Sequence, residues 1–159
     1  MFRVSIWIAT AAAALAAAGT ATADRGVRPA EPAGPYMVSV VKQKLSSDYA
    51  TAWKTLYPPH QRVAAQDAYV GCESLTPDAG TMLSVRALRT YNERIPVAGK
   101  GGLTKTRAVD VRVTVDSPLV SFPVVIEQTF HAIKVTRRWR WILSLDQYGY
   151  YRAGECPYA

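Results

Sequence analysis

Two hydrophobic periods divide the chain. From Tyr36 to Leu56 the apolar positions Met37, Val40, Val41, Leu45, Tyr49, Trp53 and Leu56 recur mostly in steps of three and four, tracing one face of a helix. Ser46-Ser47-Asp48 interrupts this stripe with residues that favour N-caps, so the pattern predicts two short helices or one kinked helix. Pro58-Pro59 ends that region, because proline lacks an N–H and restricts the residue before it. A further helix is expected from near Pro59 to about Cys72, with Val63, Tyr69 and Val70 partly inward. Thr76-Pro77-Asp78-Ala79-Gly80 spells a turn.

Beyond Gly80 the period becomes two. Leu83, Val85, Ala87, Tyr91, Ile95 and Val97 share one parity, opposite Arg86, Thr90, Asn92 and Arg94. The glycine-rich stretch Ala98 to Gly102 reads as a connection between strands. Val109, Val111, Val113 and Val115 then alternate with Asp110, Arg112, Thr114 and Asp116, a strand wet on one face and buried on the other. A third strand opens at Val124 and runs to about Val135. Its apolar parity switches between Phe130 and Ile133, which implies a bulge or cover on both faces. Trp139, Trp141, Leu143 and Leu145 predict a fourth. Helices followed by strands define an α+β class, with N-terminal helices packed on a curved antiparallel sheet of about four strands.

The first 23 residues stand apart. Arg3, an alanine-rich apolar run and the small residues Ala21 and Ala23 describe a secretory signal peptide. No cysteine follows that run, so a lipid-anchored form is not expected. Residues 24–35, rich in Pro, Gly and Ala, read as a flexible linker, and residues 36–159 as a single domain. A secreted or extracytoplasmic chain changes the meaning of its two cysteines. In an oxidising compartment Cys72 and Cys156 are expected to pair, and neither has the neighbouring base or C-x-x-C spacing of a reactive thiol.

The chain has 159 residues, 49% of them hydrophobic, and a formal charge of +7. That suffices for one core and excludes a disordered or collagen-like chain. Asp48-Tyr49-Ala50-Thr51-Ala52-Trp53 and Leu56-Tyr57-Pro58 precede four strands ending in Trp139-Arg140-Trp141-Ile142-Leu143. This order of elements and aromatic positions resembles the NTF2-like, or cystatin-like, superfamily of cone-shaped α+β domains. The resemblance spans about Tyr36 to Cys156 and implies a sheet wrapped around helices with a pocket at its open end. It also implies ketosteroid isomerase, dehydratase and cyclase enzymes among the relatives, beside many non-catalytic binding and accessory domains. A shared fold therefore leaves the reaction open.

Candidate chemistry is sparse. An isomerase-like site needs an acid or base inside the pocket with hydrogen-bond donors opposite. Asp48, Tyr49, Tyr57, His60 and Gln128 are the residues to consider, and no catalytic set can be assembled from them. Asp48 is more simply a helix cap, and His60, after two prolines, is expected in solvent. Tyr49, Trp53, Tyr57 and Gln128 remain as pocket candidates. His60 and His131 lack metal-ligand spacing, so neither a metal nor another cofactor is expected. His131 is placed on the outer sheet face, in a polar ladder with Asp110 and Arg112. Gly99-Lys100-Gly101-Gly102 lies between strands, so it reads as a hairpin turn and not as a phosphate cradle.

Arg137-Arg138-Trp139-Arg140 interleaves cations with an aromatic ring. In an exported chain this points to an anionic envelope component before nucleic acid, which is not expected as a partner. The plainer reading is a hairpin turn with arginine stems over tryptophan. The function expected is a binding or accessory domain holding a small apolar ligand or a partner protein. A small isomerase or dehydratase is the alternative, and a homodimer through the sheet is a third possibility. A buried carboxylate facing a tyrosine in an open cavity would favour the enzyme.

Overall fold

A computed structural model describes residues 32–76 and 80–157. The expected signal peptide, most of the expected linker and the centre of the Thr76–Gly80 turn lie outside the described residues. Among those described, the helices are α1 (Ala33–Leu45), α2 (Tyr49–Lys54), α3 (Pro58–Gln61), α4 (Gln66–Glu73) and α5 (Leu145–Ala153). The strands are β1 (Thr81–Pro96), β2 (Leu103–Asp116), β3 (Val124–Val135) and β4 (Arg138–Trp141). They form one antiparallel sheet in the order β1-β2-β3-β4, with the helices packed on it. The chain is an α+β domain.

The helical break falls where the sequence puts it. Ser47 adopts a left-handed φ of 58°, and the Asp48 carboxylate accepts the Thr51 N–H at 3.3 Å to cap α2. α1 starts earlier than expected, so Ala33, Gly34 and Pro35 are helix and not linker. Proline is compatible with a first turn, where its missing N–H has no intrahelical role. Gly34 lets the helix approach β1, since a Cβ there would stand 3.3 Å from Thr90 Oγ1. The single helix expected up to Cys72 is instead α3 and α4. The break leaves Ala64 fully buried, with its C=O accepting the Trp53 indole N–H at 2.7 Å.

The valine row of β2 forms the floor of the core: Val109, Val111, Val113 and Val115 are all buried. At about 25 cal/mol per Å² of apolar surface, each such side chain contributes roughly 1.5–3 kcal/mol. β1 departs from its simple parity at two bulges, between Met82 and Ser84 and between Ala87 and Arg89. The first leaves Leu83 53% exposed. The second moves Tyr91 and Ile95 off the face of Val85 and Ala87 and onto that of Asp110, because one extra residue reverses every later side chain. β3 has no register shift against β2, so its parity switch is explained by cover on both faces. Ala132 joins the main core, while Ile133 packs with Tyr57 and Val97 in a second cluster behind the sheet.

Leu145 was expected in the fourth strand but opens α5. Ser144 and Gln147 form a capping box there, each side chain engaging the other's backbone N–H. Gly154, at a φ of 76°, ends the helix in the left-handed region. Cys72 and Cys156 form a disulfide joining α4 to the segment after α5. Among the described residues no helix is long and apolar enough to cross a membrane. The disulfide is compatible with an extracytoplasmic protein. Closing a loop with a sequence separation of 84 contributes about 4–5 kcal/mol in the chain-entropy treatment. The Cys72→Ser/Cys156→Ser variant is therefore expected to lose a comparable amount, read by denaturant unfolding.

His60 overturns the expectation of a solvent-facing side chain. It is fully buried. Its Nδ1 accepts the Leu143 N–H at 3.0 Å, which leaves Nε2 as the protonated nitrogen that donates to Ala98 O at 3.1 Å. One neutral ring thus ties α3 to the β1–β2 turn and to the chain leaving β4. Burial pushes its pKa below 6.5, opposed by the bond to Ala98. The unfolded chain then binds the proton more readily, so stability falls as pH drops below 6.5. His60→Ala orphans the buried Leu143 N–H and the half-buried Ala98 C=O and is expected to lose about 2–4 kcal/mol. Urea unfolding at about pH 7.5 and about pH 5.5 checks both effects, since the variant should also lack this histidine's share of the pH slope.

Candidate functional site

The site arises where β4 stops. β4 pairs with β3 only from Ala132 to Val135, so β3 from Val124 to Phe130 has no strand on its outer side. Ile142 makes one more contact, donating its N–H to His131 O at 3.3 Å, before the chain turns into α5. A groove of about 530 Å³ runs along this edge. Val40, Val41 and Leu45 of α1 form one wall, Ile126 and Phe130 of β3 another, and Trp141 and Leu143 the inner end. The volume falls in the range of small-molecule sites, about 300–1,000 Å³.

Its floor holds the one acidic side chain that is buried among the described residues, Glu73. Lys44 Nζ lies 3.0 Å from Glu73 Oε2, and Tyr151 donates its hydroxyl to Oε1 at 3.3 Å. The Lys44 ammonium also stands 5.3 Å from the centre of the Trp141 ring. Both carboxylate oxygens are therefore engaged and the floor is electroneutral. The sequence reading missed both residues, although each left a signal. Lys44 interrupts the apolar stripe of α1, and Glu73 lies in the last turn of α4, where a carboxylate opposes the helix dipole.

Of the four pocket candidates, two line the groove. Tyr49 and Gln128 stand at its rim, and Gln128 lies opposite Val111, on the core side of the sheet, as its parity predicts. Trp53 and Tyr57 are elsewhere. Trp53 spends its indole N–H on Ala64 and packs against the core. Tyr57 is buried in the second cluster, edge-on to His60 at 5.2 Å. The helix boundary at Pro58 turns it behind the sheet, away from the groove.

Around the mouth the polar groups are already matched. His131 Nε2 lies 2.7 Å from Glu93 Oε2. On the same face Arg112 Nε donates to Glu127 Oε1 at 2.6 Å, and Thr129 donates its hydroxyl to Asp110 at 2.8 Å. That hydroxyl, with the Arg89 guanidinium adding to it, holds the Asp110 carboxyl below the usual carboxylate range. His131 lies on the expected outer face with Asp110 and Arg112, but its partner is Glu93, while Asp110 bonds to Thr129 and Arg89 and Arg112 bonds to Glu127.

The remaining sequence candidates take structural places. Thr136 and Arg137 form the two-residue β3–β4 turn with φ of 46° and 70°. Arg140 Nη1 donates to Lys54 O at 2.9 Å. Lys134 is the cation that the described residues set over the Trp139 ring, at 5.3 Å. Gly99 and Gly102 take φ of 76° and 68° in the β1–β2 connection, as a hairpin turn requires. Among the described residues no three His, Cys, Asp or Glu side chains gather where a metal ion would bind.

Chemically the groove offers apolar walls, neutral rim groups and a floor without net charge. No protein-family model matches the chain, and no curated protein matches it. The floor pair has its own test. Lys44→Met leaves Glu73 buried without its cation and is expected to cost about 3–5 kcal/mol. Adding Glu73→Leu should restore most of that, and a double-mutant cycle by denaturant unfolding measures the coupling.

Proposed function

We propose that this chain is an exported, NTF2-like binding module whose groove holds a small, largely apolar molecule without net charge. The observation that carries the reading is the match between apolar walls and a floor whose charges already satisfy each other. A charged ligand would have to displace Lys44 from Glu73 or remain unpaired in a low-dielectric space. Tyr49 and Gln128 at the rim supply the neutral hydrogen bonds that orient a ligand of this kind. The order of helices and strands and the open-ended groove support the NTF2-like assignment. The alanine-rich N-terminal run and the disulfide support export. The strongly basic composition also suits an anionic envelope component as the surface on which the module works.

A catalytic reading has one observation in its favour: Glu73 is a buried carboxylate beside a tyrosine in an open groove. An isomerase or dehydratase needs that carboxylate to accept a proton and the tyrosine to face substrate. Here Lys44 and Tyr151 both point at the carboxylate, so the donors serve Glu73 itself. The binding module is the better account.

Native mass spectrometry of chain purified from an exporting cell is expected to show a bound small molecule released on denaturation. Titration with the neutral apolar fluorophore N-phenylnaphthylamine should show saturable binding. Ile126→Glu places a charge in the wall at a half-exposed position and is expected to weaken that binding at least about tenfold, roughly 1.4 kcal/mol, without a change in melting cooperativity. Equal affinity in the variant would refute the groove as the site.

A further inference from the structure

The two edges of the sheet are built differently. β1 carries Arg86, Arg89, Arg94 and Pro96 and is kinked by two bulges. These are the devices that keep an edge strand from pairing with another chain. β3 from Val124 to His131 has no arginine, proline or bulge; its one carboxylate, Glu127, is paired with Arg112, and its register against β2 is unbroken. Val125 is 56% exposed there and Ile126 43%, while the preceding loop exposes Leu119 and Phe122.

The direction of the free peptide groups can be worked out. Ile142 donates to His131 O on the β4 side, and peptide groups alternate sides along an antiparallel strand. The N–H and C=O of Val125, Glu127 and Thr129 therefore face the open edge. Those of Val124, Ile126, Gln128 and Phe130 face β2.

We propose that this edge is an interface between two copies of the chain, their β3 strands pairing antiparallel about Glu127. In this register Glu127 meets Glu127 of the second copy and Val125 meets Thr129, so every outward N–H and C=O of these residues is bonded. Neighbouring registers fail. Centring on Gln128 sets Val125 against His131, whose C=O is taken by Ile142. Centring on Ile126 sets Thr129 against Pro123, which has no N–H to donate. Side chains agree with the same choice, since Val124 then faces Phe130, a β-branched residue against an aromatic ring. The two Glu127 carboxylates meet, but Arg112 clamps each one. The contact becomes an alternating cluster of two carboxylates and two guanidiniums. The strand of the second copy runs on toward the groove mouth, carrying its exposed Phe122 toward Phe130 and His131. This inference does not depend on the nature of the groove's ligand.

Sedimentation equilibrium of the purified chain between about 1 and about 100 µM is expected to show a dimer. Val125→Pro removes an N–H that β2 does not use, so the internal ladder survives. Val125→Lys places a charge on the edge. Each should weaken the dimer at least about tenfold while the circular dichroism spectrum is unchanged. In the parent chain alone, amide exchange at Val125, Glu127 and Thr129 should slow as concentration rises. A chain that stays monomeric over this range, or a dimer of equal affinity in both variants, overturns the proposal.

Discussion

The structure depends on Trp141, the last residue of the sheet, being held by the helical layer on every side. Its backbone N–H donates to the Tyr36 hydroxyl at 3.0 Å, and that hydroxyl donates onward to Thr55 O at 3.1 Å. Its C=O accepts the Tyr57 N–H at 2.8 Å, and its indole N–H donates to Ala52 O at 2.8 Å. Tyr69 of α4 packs against the ring at 5.9 Å between centres. Both backbone groups point away from β3, so the helical layer occupies the side of β4 where a further strand would pair. β4 ends here, and after the Ile142 N–H bond to His131 O the edge of β3 from Val124 to Phe130 is left open. The groove lies between that open edge and the helical layer to which β4 is fastened.

The far side of the groove is fixed by a double clamp. Adjacent residues of α4 act together: Cys72 is bonded to Cys156 and Glu73 accepts the Tyr151 hydroxyl. One link is covalent and the other polar, and both hold α5 against α4. His60 adds a third tie through Leu143, and its ring stands 5.1 Å from that of Tyr148 of α5. A wall secured in this way is pre-organised, so a ligand need not order it on binding.

What could be read from the sequence follows the range of the interactions involved. The row Val109 to Val115 was legible because period-two burial is written in consecutive residues. The break at Asp48 was legible because a cap acts within three residues. His60 was not, since its partners Ala98 and Leu143 lie 38 and 83 residues away. Its neighbours Pro58 and Pro59 gave it the look of a loop residue. The face change of Tyr91 and Ile95 depends on a bulge after Ala87, which alternation alone does not reveal. α5 was legible in principle, through Ser144 and Gln147, but Leu143 and Leu145 share a parity that also fits a strand. The groove was half legible. Parity placed Gln128 toward the core side, while Trp53 and Tyr57 were drawn in by aromatic character without knowledge of how the helices turn.

Charge and edge chemistry then act in the same direction. A chain of net charge +7 repels its own copies at long range. Along β1 that repulsion is reinforced locally, because Arg86 and Arg94 are exposed there and add to the bulges as a barrier to pairing. Along the open part of β3 the acidic side chain, Glu127, is already neutralised by Arg112, and the rest is apolar or neutral. Approach of a second copy is thus least opposed where unpaired peptide groups and exposed apolar side chains coincide. The feature that opens the groove, an early end to β4, is also the feature that leaves this strand uncovered. Ligand access and strand pairing consequently share one edge, and a change in the length of β4 would alter both together.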